Sequence, residues 1–173
     1  NNRFFMEYQP QYEAGNKRLR GFEALIRLVG EDGKRISPAE FIPVAEKSDL
    51  ILDIDHYVLH SVFKDFAKVA EKSAGKFVVC VNISAKHISE ECFAKDLADL
   101  MADYHFPANS LEIEITEYCM VSSMDMTVKN IEKVVYFATY LITDAKSEEI
   151  EKTLTDLEAQ TDAARQAIKL RYE

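Results

Sequence analysis

Residues 77–83 read FVVCVNI, an almost continuous run of apolar residues that is rich in β-branched side chains. Such a run is typical of a strand with both faces covered, as in the parallel sheets of α/β proteins. A further apolar stretch, LEIEIT at residues 111–116, follows a segment with helical periodicity at residues 89–104. Strands that alternate with helices of this length predict βα units and a mainly parallel sheet.

The preceding residues extend this pattern. Apolar runs at residues 4–9 and 20–28 predict two strands joined by a turn that contains Gly15. Ser37, Pro38 and Glu40 supply a helix cap, a first-turn proline and an acid three residues after the cap, so we expect a helix to begin there. A helix with one buried face is predicted for residues 51–70 by apolar residues at steps of three and four. These residues are Ile51, Ile54, Val58, Leu59, Val62, Phe66 and Val69.

Composition and charge exclude several classes of protein. A chain of 173 residues can build one substantial core, and its net charge of -9 argues against a broad basic face that binds polymeric nucleic acid. No segment offers the roughly 18 consecutive apolar residues of a membrane span, so we expect no membrane insertion. The three cysteines form no CxxC pair, which favours a reducing cytoplasm over a zinc knuckle or a disulfide framework. Because the chain lacks an initiator Met and starts almost inside a strand, we expect Asn1 to mark an artificial boundary.

Polar side chains interrupt the predicted strands. They are Glu23, Asn82, Glu112 and Glu114. A carboxylate in a strand with both faces covered must be paired or hold a metal, because an isolated buried charge is very costly. Two glutamates and an amide oxygen from successive strands suit Mg²⁺ or Mn²⁺. The alternative is that a strand glutamate pairs with Arg20, Arg27 or a lysine.

Several motifs, in order, resemble those of the EAL domain family, the bacterial module that binds and hydrolyses cyclic di-GMP. They are YQP at 8–10, GFEALIR at 21–27, SPAEFIPVAE at 37–46, VNIS at 81–84 and EIEITE at 112–117. The resemblance runs from residue 4 to about residue 131. It implies an α/β fold of parallel βα units that corresponds to the first half of a TIM-like barrel, followed by a helical extension.

The resemblance also implies roles for individual residues. It makes Glu23, Asn82 and Glu114 ligands of Mg²⁺ or Mn²⁺, and it places Arg27 on a phosphate of cyclic di-GMP. Divalent ions would activate the attacking water, and the planar guanidinium suits a phosphate because it donates two hydrogen bonds at once. The remaining implied nucleotide-binding residues are Gln9, Leu25 and Pro38.

Each of these residues also has a structural interpretation. Gln9 fits an ordinary polar group at a strand end, Leu25 fits core packing, and Pro38 fits the helix start alone. For Arg27, the alternative is an ion pair with Glu23 or Asp49.

The chain departs from the family pattern in its second half. The family closes its site with an Asp-Asp-Phe-Gly segment and later supplies a lysine, a glutamate and a glutamine, whereas this sequence has no adjacent Asp pair. Asp144 lies roughly where that Asp pair would fall. It is either a remnant of the pair that binds a metal or an acidic residue of a linker. We therefore expect no complete catalytic set and no hydrolysis to pGpG. The alternatives are a nucleotide receptor without turnover and an interaction scaffold.

The C-terminal part differs from the preceding residues in its sequence pattern. Residues 126–142 and 147–172 show amphipathic helical periodicity, and neither glycine nor proline occurs after Pro107. We expect residues 1–127 to form the partial EAL-like domain and residues 128–173 to form covering helices or a coiled-coil arm. An open half barrel has an unpaired edge, which predicts coverage by these helices, a partner's helices or a homodimer.

Overall fold

The computed structural model describes residues 3–73, 76–115 and 126–134 of the chain. Its centre is a five-stranded sheet, whose strands are β1 (Phe4–Tyr12), β2 (Leu19–Val29), β3 (Arg35–Ile36), β4 (Val78–Ile83) and β5 (Leu111–Ile115). The order across the sheet is β1-β2-β4-β5, and β3 pairs with the end of β2. β2, β4 and β5 are parallel neighbours, which confirms the predicted parallel βα units.

The first two strands are antiparallel, in contrast to the parallel strands β2, β4 and β5. β1 and β2 form an antiparallel hairpin, and β3 is also antiparallel to β2. The short connection at residues 13–18 accounts for this pairing, because a parallel return needs a crossover of a dozen or more residues. The sheet is therefore mixed.

Four α-helices occur in the described part of the chain before β5. They are α1 (Pro38–Glu46), α2 (Leu50–Ser73), α3 (Ala85–Ile88) and α4 (Phe93–Asp103). α1 starts at Pro38 as predicted, but the Ser37 side chain makes no capping hydrogen bond. The predicted helix at residues 89–104 forms as α4 but begins later, at Phe93, and a separate short helix, α3, precedes it directly after β4.

The core lies between α2 and one face of the sheet. Val62 and Phe63 of α2 are fully buried, as are Val79 and Val81 of β4. Most of the predicted apolar face of α2 is confirmed, but Val69 is 45% exposed, so its assignment to that face was wrong. Phe66 extends the core towards the hairpin by packing edge-on against Tyr8 at a ring-centroid distance of 4.7 Å.

Residues 126–134 are helical and contact the domain. The buried Asn130 amide donates hydrogen bonds to the carbonyl oxygens of Ile88 and Glu90, each at 2.7 Å. Most of residues 128–173 lies outside the described ranges, so the division at residue 127 and the helical arm stay predictions. In the described part of the chain, no helix has the length and apolar character needed to cross a membrane.

Candidate functional site

The polar strand residues share one face of the sheet, opposite the face that packs on α2. Gln9 of β1 lies across from Glu23 of β2, which in turn lies across from Cys80 of β4. Further towards the carboxyl ends of the parallel strands, Asn82 lies across from Glu114. Because side chains alternate between faces along a strand, this register puts Gln9, Glu23, Asn82 and Glu114 on one side. We refer to this side as the polar face.

Glu23 and Asn82 are in direct contact on the polar face. The Asn82 side-chain amide donates a hydrogen bond to Glu23 Oε1 at 3.1 Å, which leaves the amide oxygen as the atom that can coordinate a cation. Glu23 is partly buried and Asn82 is exposed. Two of the three predicted metal ligands are thus brought together, and the third lies beside Asn82 on the next strand.

The two glutamates of β5 have different surroundings. Glu112 forms an ion pair with Arg20, whereas Glu114 forms none with any residue the structure describes. Ligand atoms of Cys80, Glu112 and Glu114 all lie within 4.8 Å of one another. Burial raises the pKa of the Cys80 thiol, which favours its neutral form. Glu114 is therefore the β5 carboxylate that is available to a cation, and the alternative of an arginine partner is correct for Glu112.

Arg20 reaches the polar face through an irregularity in the hairpin. Strand pairing passes from Gln11 opposite Gly21 to Tyr12 opposite Leu19, so it skips Arg20. Such a bulge redirects a side chain. The Arg20 guanidinium donates to Gln11 Oε1 at 2.9 Å. Gly21 is required at this point, since a Cβ there would lie 1.6 Å from the carbonyl oxygen of Val78.

Arg27 lies near the carboxyl end of β2. Its Nε donates to Glu7 Oε2 at 2.7 Å, and one terminal nitrogen donates to the Ile26 carbonyl at 3.0 Å. The predicted alternative partners, Glu23 and Asp49, were wrong, because the antiparallel hairpin brings Glu7 alongside. Arg27 and Arg35 hold the pKa of Glu7 below its ordinary value, so this carboxylate stays charged.

A cavity of about 1180 Å³ opens at the carboxyl ends of β2 and β4, bordered by α1 and α2. Three of the predicted nucleotide-binding residues, Leu25, Arg27 and Pro38, line it together with Asn82. Gln9 is exposed opposite Glu23 and is not part of the cavity wall. The volume is ample for a small-molecule ligand. The other lining residues are Ala24, Ile26, Ala39, Ile42, Pro43, Glu46, Lys47, Ile51, Ile54, Asp55, Val58, Ile83, Ser84, Lys86 and Ser89.

Several polar groups of the cavity wall were missed by the sequence reasoning, among them Asp55 and Lys86. Asp55 is buried and accepts hydrogen bonds from Ser84, and Lys86 bridges to Asp49 at 2.7 Å. The signal for Asp55 was present, because it falls among the apolar residues on the buried side of α2. Lys86 gave no signal, since lysines are ordinary on helix surfaces. The remaining candidate ligand, Asp144, lies outside the described residues.

Comparison with known proteins identifies relatives of most of the chain. The family model described as EAL domain matches residues 1–137. The signaling protein YkoW of Bacillus subtilis is 34% identical over 129 residues, which cover 75% of this chain and 16% of YkoW. The cyclic di-GMP phosphodiesterase PdeR of Escherichia coli is 27% identical over 133 residues, which cover 77% of this chain and 20% of PdeR. The chain thus spans a fifth or less of the length of these two relatives.

Solved structures share the fold. The EAL enzyme Bd1971, in a form bound to cAMP and cyclic di-GMP, matches with a TM-score of 0.72 at 23% identity. That match covers 79% of this chain and 38% of the other. The EAL domain of FimX from Pseudomonas aeruginosa, bound to cyclic di-GMP, matches with a TM-score of 0.66 at 19% identity, covering 94% of this chain and 77% of that one. These likenesses agree with a sheet that corresponds to part of a TIM-like barrel.

Proposed function

The chain belongs to the EAL domain family, and on that premise we propose that it binds cyclic di-GMP at the carboxyl ends of β2 and β4. The observation that carries the proposal is the placement of Glu23, Asn82 and Glu114 on one face of the sheet, with Asn82 also lining the cavity that Arg27 lines. In barrels built from parallel βα units, active sites lie at this end of the strands. The chain is acidic overall, but Arg27 places a positive charge at the cavity wall, which favours a phosphate ligand there.

We propose Glu23, Asn82 and Glu114 as ligands of Mg²⁺ or Mn²⁺. All three offer oxygen atoms, which these ions prefer over nitrogen and sulfur. Neither glutamate has an ion-pair partner among the described residues, so both carboxylates are free to neutralise a cation. A bound divalent ion in such enzymes activates water and stabilises the oxygens of a phosphodiester during displacement.

Arg27 supports the phosphate part of the proposal. Glu7 and the Ile26 carbonyl hold two of its nitrogens, and the second terminal nitrogen, Nη2, has no hydrogen-bond partner among the described residues. The guanidinium is thus oriented before the ligand arrives, which lowers the entropic cost of binding. We propose that Leu25 and Pro38 form an apolar wall beside Arg27. We also propose that Gln9 contributes to nucleotide binding from β1, the strand next to β2.

We propose that this 173-residue chain binds the nucleotide without hydrolysing it. Its sequence has no adjacent Asp pair of the kind with which the family closes its site. A scaffold role for residues 128–173, homodimerisation and a cytoplasmic location stay predictions. The scaffold role concerns residues that lie mostly beyond the described ranges.

The test is calorimetric titration of cyclic di-GMP with and without Mg²⁺, followed by chromatography of the mixture for pGpG. We expect saturable binding that strengthens with Mg²⁺ and leaves no pGpG. Arg27→Ala should weaken binding roughly tenfold to a hundredfold, as expected for loss of charge-assisted hydrogen bonds. Arg18→Ala is the matched control, because Arg18 lies exposed in the hairpin turn and should leave the affinity unchanged.

Three results would contradict the proposal. Absence of binding would leave the EAL fold without its ligand. Equal weakening by the Arg27 and Arg18 variants would mean that binding follows net charge rather than the cavity. Formation of pGpG that depends on Mg²⁺ would show that the chain completes a catalytic site and that the expectation of inactivity was wrong.

A further inference from the structure

Asp55 is a buried carboxylate that the proposed chemistry does not use directly. It is 3% exposed and lies on the apolar side of α2, between Ile51 and Val58. A charge in such a place is retained only when donors surround it, because desolvation of an unpaired carboxylate costs several kcal/mol. The hydrogen-bond partners of Asp55 therefore indicate its role in the structure.

The main partner of Asp55 is Ser84, the residue that directly follows β4. Asp55 Oδ2 accepts a hydrogen bond from the Ser84 backbone N–H at 3.0 Å and another from its hydroxyl at 2.5 Å. The Ser84 hydroxyl in turn accepts from the backbone N–H of His87 at 3.2 Å, which caps α3. One carboxylate oxygen thus fixes both the end of β4 and the start of α3.

The ring of His87 completes the surroundings of Asp55. Its Nδ1 lies 3.5 Å from Asp55 Oδ2 but forms no hydrogen bond with the described residues. The ring is held by contacts with His56 and Phe93, at centroid distances of 4.6 and 4.9 Å. The Ser84 bonds are therefore the direct hydrogen bonds that hold the carboxylate.

Asn82 lies two residues before Ser84, so its position depends on how the end of β4 is held. Its side chain is exposed, and its one side-chain hydrogen bond within the described residues goes to Glu23. Packing therefore does little to orient it. The adjoining Ile83 is buried on the other face, and Ser84 is tied to α2 through Asp55. The backbone on the carboxyl side of Asn82 is thereby fixed to the helical layer.

We propose that Asp55 is a positioning residue, which places Asn82 for metal binding by holding Ser84. The inference rests on the proposed metal site and deepens it, because it names the group behind one ligand. Partners that orient metal ligands from behind typically change metal affinity by 10- to 100-fold when they are removed. Asp55→Ala should weaken Mn²⁺ binding by that factor.

The test uses Mn²⁺ titration of the full chain, with free Mn²⁺ measured by electron paramagnetic resonance. Asp55→Asn retains a carbonyl oxygen that can accept from Ser84, so it should restore the affinity to within a few fold. Ser84→Ala removes the hydroxyl bond but keeps the backbone one, and it should give an intermediate loss. Asp53→Ala, on the exposed side of the same helix, should change nothing.

A structural effect is separated from a positioning effect by Leu59→Ala. Leu59 is buried on α2 one turn after Asp55 and does not line the cavity, and its truncation destabilises α2 without removing the Ser84 bonds. We expect this variant to lose stability but to keep its Mn²⁺ affinity. If it lost affinity as much as Asp55→Ala did, or if Asp55→Ala kept the native affinity, the inference would be overturned.

A second readout needs no metal and covers the case in which Asp55→Ala folds poorly. The Asn82 side-chain amide gives a pair of nuclear magnetic resonance signals, identified by their loss in Asn82→Ala. These signals should shift in Ser84→Ala, shift less in Asp55→Asn, which keeps an acceptor for Ser84, and stay in place in Asp53→Ala. Unshifted signals would overturn the inference. A native chain that binds no Mn²⁺ while these signals shift would overturn the proposed metal site and leave the positioning by Asp55 standing.

Discussion

The two faces of the sheet are made by alternate residues of the same strands, yet they differ in nearly every property. One face supplies Val79 and Val81 to the core against α2, and both are fully buried. The other face presents Glu23, Asn82 and Glu114, which are partly buried or exposed. The difference separates stability from binding. Substitutions on the core side should cost stability, whereas substitutions on the polar face should cost binding.

The largest loss of stability is expected on the core side. Phe63 of α2 is fully buried and stacks on Phe106 at a centroid distance of 4.6 Å. Phe63→Ala should lower the free energy of unfolding by about 3 to 5 kcal/mol, because it removes apolar contacts and leaves a cavity. Urea denaturation measures this effect. A loss below about 1 kcal/mol would mean that this layer is not the core.

A backbone contact between β2 and β4 should have the next largest effect. Gly21→Ala would place a methyl group 1.6 Å from the Val78 carbonyl oxygen, so the two strands must separate. We expect a loss of roughly 3 kcal/mol in urea denaturation. Gly15→Ala is the control, since a Cβ there meets nothing within 4 Å. Equal stability of the two variants would contradict the close approach of these strands.

The polar face should tolerate truncation. Asn82→Ala removes an exposed side chain and one hydrogen bond to Glu23, so the free energy of unfolding should change by no more than about 0.5 kcal/mol. Thermal and urea denaturation without added metal are the measurements. A loss as large as that of Phe63→Ala would show that the two faces are not functionally separate.

The smallest expected effect concerns Glu7, at the edge of the polar face. Its pKa is lowered from 4.5, first by the hydrogen bond from Arg27 and also by Arg35. The stabilising contribution is therefore present above about pH 4.5 and is lost as the pH falls through the lowered value. Glu7→Gln should flatten the pH dependence of the melting temperature in that range. An unchanged pH profile would argue against these ion pairs in solution.

Much of the fold could be predicted, because strands such as β4 and β5 are short apolar runs that any parallel sheet would bury. The antiparallel direction of the β1–β2 pair follows from the short turn that joins the two strands. α3 is only four residues long and falls below any detectable periodicity. The alternation of helices and strands therefore predicted the helical layer and the sheet better than it predicted strand direction and short helices.

The resemblance to the EAL family implied the set Glu23, Asn82 and Glu114, and the observed register puts all three on one face of the sheet. The period of two along β5 alone does not distinguish Glu112 from Glu114, because the partner of Glu112 reaches it through an irregularity in the pairing of β1 and β2. The sequence reasoning also missed Asp55, whose significance depends on a contact with Ser84 across the core.

The most direct test of the polar face as a metal site compares these two glutamates of β5. They lie two residues apart on the same face, and Glu112 is neutralised by Arg20 whereas Glu114 has no ion-pair partner among the described residues. In Mn²⁺ titrations, we predict that Glu114→Gln lowers the affinity at least about tenfold and that Glu112→Gln leaves it within twofold of the native chain. Equal affinities in the two variants, or a larger loss from Glu112→Gln, would contradict the proposed site.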